Sequence, residues 1–239
     1  MKKITTLCFF LFLLVGTSTF AQKEIKEGVI SMEITKVECD NEQYAQMLQM
    51  MKGSEMSVAF DKDNSLMTMN MMGGMMKTRA LTKKNAKEVV TLIDAMGQKM
   101  MNKMAKEDFE KNKAAAKDAK VEVTYDKSDT KKILDYTCHK AIVKFPLPGT
   151  EGEFVQMNAY VTEDLKLSES LMQGVDASKL EGTPLEYSIS ASQQGMTFSM
   201  TFTAQDIKTT LDKSVFKLDT EGYKEVTLEQ MQSMGGMGF

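Results

Sequence analysis

Two neighbouring stretches of strict alternation constrain this chain more than any other feature. Leu185, Tyr187, Ile189 and Ala191 alternate with Glu186, Ser188, Ser190 and Ser192. After Gln193, Gln194 and Gly195, the residues Phe198, Met200 and Phe202 alternate with Thr197, Ser199, Thr201 and Thr203. A period of two places successive side chains on opposite faces of a strand. A three-residue connection containing glycine closes two such strands into an antiparallel hairpin. One face of that hairpin is apolar and the other carries hydroxyls, so the apolar face needs cover from further strands or helices.

The same period recurs upstream. Ile30, Met32 and Ile34 mark one strand, Met56, Val58 and Phe60 a second, and Met67, Met69 and Met71 a third. Gly73 and Gly74 supply the positive φ of a tight turn into a fourth strand over 75–81. Further strands are expected over 88–94, 121–125, 138–145 and 154–162. Helices are few. Asp40 is expected to cap a helix over 41–51, where Tyr44, Met47, Leu48 and Met51 follow helical spacing and Gly53 ends it. Thr227 and Gln230 form a capping box for a short C-terminal helix. Residues 102–120 are so charged and alanine-rich that they read as an exposed helix or excursion. The expected fold is α+β, mainly β: a large curved antiparallel sheet, an open half-barrel, with a few helices on its concave face.

The N-terminus reads as an export signal. Lys2 and Lys3 precede an apolar run from Ile4 to Val15, and small residues at Thr19 and Ala21 suit cleavage after Ala21. The apolar run is too short for a bilayer span, which needs about 20 residues. The expected organisation is therefore a signal peptide over 1–21 and one β-rich domain over 22–239, destined for the periplasm or beyond. Loss of Lys2 and Lys3 makes the formal net charge of −3 still more negative, leaving no basic footprint for nucleic acid. No segment after Gln22 is apolar enough to cross a membrane as a helix. Cys39 and Cys138 would meet an oxidising compartment. A bridge between them would close a loop of roughly 100 residues, worth about 4–5 kcal/mol by loop-closure entropy, and two separately buried thiols are the equal alternative.

Catalytic constellations lack parts. The single histidine, His139, rules out any site that needs two, and its neighbour Cys138 points to the other face of a strand. Asp61, Asp63 and Asn64 resemble the start of a calcium loop without its glycine or distal glutamate, and read instead as a hairpin turn. The chain is expected to be non-catalytic and to need no cofactor. Methionine is the unusual quantity, at 23 residues, clustered at Met67, Met69, Met71, Met72, Met75 and Met76 and again at Met231, Met234 and Met237. Thioethers suit Cu(I), which makes Met69, Met71 and Met75 an alternative metal site. Unbranched methionine also fills irregular cores and adaptable binding surfaces, and its sharing of one face with Val, Ile and Phe positions makes most of the cluster wall.

Ile133, Tyr136, Cys138, Lys140 and Ala141 form an I-x-x-Y-x-C-x-K-A stretch that resembles exported proteins of Bacteroidota. The resemblance is to the domain-of-unknown-function family numbered 4412, whose members carry segments similar to residues 53–57 and 216–227. That family is similar in turn to the periplasmic lipoprotein carriers of the LolA and LolB type. The resemblance implies a curved sheet half-closed around helices and a concave apolar face able to hold acyl chains. It implies no catalytic residue. The expected function is an envelope protein that binds an apolar small molecule or a lipoprotein against Tyr187, Ile189, Phe198, Met200, Phe202, Met67, Met69 and Met71; a structural or interaction module without a ligand is the other alternative.

Overall fold

A computed structural model of the chain describes residues 22–118, 121–146, 154–167, 180–193 and 196–235. The export signal falls outside these residues, as do Gln194 and Gly195 in the connection of the strongest hairpin. No helix among the described residues is long and apolar enough to cross a membrane.

Twelve strands form one continuous sheet, and its order follows from two meanders. The first contains β2 (Gly28–Cys39), β3 (Glu55–Phe60), β4 (Asn64–Met71), β5 (Met76–Lys83), β6 (Glu88–Ala95) and β7 (Gln98–Ala105). The second contains β8 (Glu122–Ile133), β9 (Tyr136–Pro146), β10 (Phe154–Thr162), β12 (Thr183–Gln193) and β13 (Met196–Lys208). β13 returns to pair with β2, so the order runs β14-β7-β6-β5-β4-β3-β2-β13-β12-β10-β9-β8, where β14 is Lys224–Glu225. All of these pairings are antiparallel except β14 on β7. A separate parallel pair joins β1 (Lys23–Ile25) to β11 (Leu165–Leu167). The sheet is curved and does not close: β8 and the short β14 end it without meeting. This is the mainly-β open architecture that the alternation implies.

The β2–β13 seam carries two register shifts, one near Thr201 and Phe202 and one between Ala204 and Asp206. An extra residue in one strand bends it and increases its twist. At the first shift Thr35 is the extra residue, and its hydroxyl lies 2.8 Å from that of Thr203. A third shift, between Tyr160 and Val161, bends the β10–β12 pair. Curvature is thus placed at the middle of the sheet.

One face holds the main core. Ile30, Met32, Ile34, Met56, Val58, Phe60, Met157, Ala159, Val161, Tyr187 and Phe202 are buried on it, together with Leu48 and Met51 from α1 (Glu42–Gln49) and Ile25 and Leu165 from the parallel pair. The opposite face is covered over β3 to β5 by the chain that follows β13. There a 3-10 turn, Lys213–Phe216, inserts Phe216 against Ala59, Leu66 and Leu81. Farther along, Arg79 donates to the Tyr223 hydroxyl at 2.9 Å, and the Lys99 ammonium lies 5.5 Å from the Tyr223 ring centre. The C-terminal strap is therefore pinned across the outer face of the first meander.

Several local expectations need correction. The helix cap is Asn41, whose side chain accepts from the Gln43 N–H, and not Asp40. Asp40 stays in the β2–β13 ladder, exchanging bonds with Thr197 through its N–H and its carboxylate. Gly53, at φ +81°, follows the helix as expected. The segment over 102–120 is divided: β7 runs to Ala105 and only then does α2 (Lys106–Asp118) begin. Met100 and Met101 are both buried because both faces of β7 are covered, which erases the period-two signal. The capping box is present, with the Thr227 N–H donating to Gln230 Oε1 and the Gln230 N–H to Thr227 Oγ1 at the start of α3 (Leu228–Gly235). Asp61 makes a hairpin turn, accepting from the main chain of Asp63 and Asn64.

Gly28 tests the close packing at the start of β2. A Cβ there would lie 2.2 Å from the Lys208 carbonyl oxygen, so Gly28→Ala must separate the two strands. The expected cost is about 2–3 kcal/mol, read as a lower urea midpoint; an unchanged midpoint would refute this packing.

Candidate functional site

The residues expected to bind an apolar ligand come together on one face, and the register shows how. Tyr187 lies opposite Phe202, Ile189 opposite Met200, and Ala191 opposite Phe198. On the other edge of β13, Phe202 meets Ile34, Met200 meets Val37, and Phe198 meets Cys39. Met32 then faces Met56, which faces Met69, and Ile30 faces Val58, which faces Met67. Tyr187, Ile189, Phe198, Met200, Phe202, Met67, Met69 and Met71 therefore share one continuous surface.

Burial divides that surface into floor and strip. Tyr187, Phe202 and Met71 are only 4%, 6% and 1% exposed, and the Tyr187 and Phe202 rings stack at 5.0 Å. Desolvation pushes the Tyr187 phenol well above its ordinary pKa, so it stays neutral. These three are core. Ile189, Phe198, Met200, Met67 and Met69 are only partly buried, and Met72 and Met76 extend the partly buried set. Ile189, Met200 and Phe198 lie toward the β12–β13 hairpin and α1, whereas Met69 and Met67 lie in the rows of Met32 and Ile30, on the other side of the buried row of Tyr187, Phe202 and Ile34. Alternation could not show this gradient, because it reports which face a side chain occupies and not what lies above it. Val37 and Met157 belong to the same face and were missed, although Val155, Met157, Ala159 and Val161 alternate plainly.

Two clefts lie elsewhere. One of about 300 Å³ opens on the outer face between Ser31, Glu33, Glu55, Ser57, Asn70 and Gln205. The other, about 590 Å³, lies beside β7 past its pairing with β14. Neither is on the apolar face.

The metal alternative is not assembled as the sequence suggested. Met69 and Met71 share a face, but Met75 sits half exposed in the turn outside the ladder, and the residue opposite Met71 is Met76. The disulfide alternative is corrected as well: Cys39 and Cys138 are separate thiols. Four strand spacings separate β2 from β9, roughly 19 Å at about 4.8 Å each. Cys39 also lies at the opposite end of its strand, since Phe198 is its partner while Cys138 lies near Thr162. A disulfide needs Cα atoms within about 7 Å.

Cys138 and His139 are adjacent on β9 and do not form a nucleophile–base pair. Burial pushes the Cys138 thiol up to about 11, which disfavours the thiolate a nucleophile needs. The His139 ring sits edge-on to Tyr125 at 5.7 Å, with its Nε2 3.8 Å from Glu163 Oε1.

The comparisons with known proteins add little to this geometry. No family model matches the chain, so the likeness to the family numbered 4412 rests on its motifs alone. No curated protein matches. Among solved structures, the chain is similar to the Mycobacterium tuberculosis lipoprotein LppX, at 6% identity and a TM-score of 0.39, covering 79% of this chain and 89% of that one.

The buried thiol yields a pH prediction. In the unfolded chain Cys138 ionises near the ordinary thiol value of 9.0, whereas the folded state holds the proton until about 11. The stability this contributes is present below pH 9 and is lost as pH rises toward 11, by about 3 kcal/mol in all. The stability difference between wild type and Cys138→Ala should narrow across that window in urea titrations. A difference independent of pH would contradict it.

Proposed function

We propose that this protein is a non-catalytic envelope protein that binds an apolar, flexible ligand, an alkyl or acyl chain, along the partly exposed apolar side chains of its curved sheet. The observation that carries the reading is the unequal burial on one face: a buried row holding Tyr187, Phe202 and Met71 is flanked by partly exposed Ile189, Phe198 and Met200 on one side and by Met67 and Met69 on the other. Side chains on a closed core would be buried throughout. Here the sheet is open, and the partly exposed side chains on its apolar face include Met67, Met69, Met72, Met76 and Met200.

Thioethers are polarizable and adapt to variable shapes, which suits a guest without fixed geometry. Covering a chain of ten CH₂ groups completely is worth about 8 kcal/mol before ordering costs. A chain lying on a strip is covered on one side only, so the affinity is expected on the order of 10 μM rather than nanomolar. Specificity would rest on chain length, because the strip carries no charged side chain to select a headgroup. An exported location follows from the N-terminal signal and belongs to the same reading.

Fluorescent fatty-acid binding tests this with three variants. Ile189→Asp and Met200→Asp each place a charge on the strip at partly exposed positions, and should weaken binding at least about tenfold. Thr201→Asp, on the hydroxyl face of the same strand, should bind as wild type does. Equal affinity in all four proteins, or no binding by wild type, would end the proposal.

A further inference from the structure

The two edges of the large sheet differ in a way that bears on partners. An edge strand presents unpaired main-chain groups that another extended chain can adopt. β8 is blunted against this. Its register with β9 breaks between Asp126 and Thr130, where Asp126 Oδ1 gathers the Ser128 N–H, the Ser128 hydroxyl and the Asp129 N–H into a tight bulge. Lys127, Asp129, Lys131 and Lys132 add charge along it.

The β7 edge has no such break. The Met101 carbonyl accepts from the Val226 N–H at 2.9 Å, so the main chain of Met101 points away from β6 and toward β14. The Lys106 N–H donates to the Lys87 carbonyl, which assigns 100, 102, 104 and 106 to the β6 side. Lys103 and Ala105 therefore point outward, like Met101. β14 ends at Glu225, and the capping box at Thr227 turns the chain away into α3. Beyond Met101 the edge is left open: among the described residues, no hydrogen bond reaches the Lys103 N–H, the Lys103 carbonyl or the Ala105 N–H.

The space beside this edge is a cleft of about 590 Å³, bordered by Asn102, Lys103, Met104, Ala105, Val226 and Leu228. Lysine on an edge normally discourages pairing. Here the Lys103 ammonium is held by Glu225 Oε2 at 2.8 Å, drawn aside and neutralised. Asn102 is fixed in turn by donating to the Val226 carbonyl at 3.0 Å. The edge has already accepted one extended segment, β14, in line with the vacant stretch.

We propose that the β7 edge over 102–105 is a docking site for an extended peptide, which adds a strand beside β7 by bonding to the outward main chain of Lys103 and Ala105. Four residues of edge span about 13 Å, enough for a short segment. Main-chain bonding supplies recognition, and Met104 and Leu228 offer apolar contact to alternate side chains of the guest. A globular surface or a lipid would leave the outward N–H and C=O groups unmatched; an extended chain satisfies them.

The probe is a synthetic peptide, acetyl-Thr-Val-Thr-Val-Thr-amide, titrated into the full exported chain while amide hydrogen exchange is followed residue by residue. Exchange at Lys103 and Ala105 should slow at least about tenfold, with Met100 and Asn102 unaffected because β6 already holds them. Lys103→Pro removes the outward N–H without touching the β6 ladder and should abolish the effect, whereas Lys103→Thr should keep it. A peptide with alternate N-methylated amides, tested on wild type, should not bind, which keeps the test independent of how the proline variant folds. Unchanged exchange at Lys103 and Ala105, or equal protection by the N-methylated peptide, would overturn the proposal. Protection that rises with protein concentration without peptide would also overturn it, in favour of a second copy of this chain.

Discussion

The pairing of β13 with β2 is the constraint on which the rest of the structure depends. Each meander is local: β3 to β7 pair in chain order, and so do β8 to β10. Among the long strands, the seam is what joins residues far apart in sequence, with Lys208 opposite Val29 and Phe198 opposite Cys39. Closing that long loop costs entropy that local hairpins do not pay. The return comes from placing Phe202 and Met200 beside Ile34 and Val37, which merges two half-cores into one apolar face. Two bulges in the same seam bend the sheet, so the interaction that unites the fold also shapes its concavity.

What the sequence made legible was parity, and parity is strongest in β12 and β13, where one face is apolar and the other rich in hydroxyls. Met67, Met69 and Met71 could be assigned to the face of Val58 and Ile34 without any knowledge of neighbours, and the register agrees. β7 escaped because Met100 and Met101 are both buried, one under each covering layer. The extension of β8 to Ile133 escaped for the opposite reason: as an outer strand it is mostly polar, with Lys131 paired to Glu186 at 2.6 Å, and its bulge interrupts any periodicity. The cap of α1 was displaced by one residue because a long-range partner, Thr197, claims Asp40. Such competition is invisible in a local pattern.

Site residues were legible as a set and illegible in rank. Alternation placed all eight on one face, but Tyr187, Phe202 and Met71 belong to a buried row that the others flank. Exposure depends on α1, on the β1–β11 pair and on the curvature of the seam, none of which the strand pattern encodes. The strap over 211–226 is a second case. Phe216 and Tyr223 gave no periodic signal, yet they seal the outer face of the first meander and deliver β14 to the β7 edge.

The central claim is that the partly exposed apolar side chains, and not the buried row they flank or the exposed tips around them, receive an alkyl guest. Methyl-labelled methionine and isoleucine spectra recorded during titration with lauric acid test it most directly. Shifts concentrated at Met67, Met69, Met200 and Ile189, with buried Met32 and outlying Met96 still, are what the structure predicts. Shifts confined to Met47, Met75 and Met96, or none at all, would contradict it.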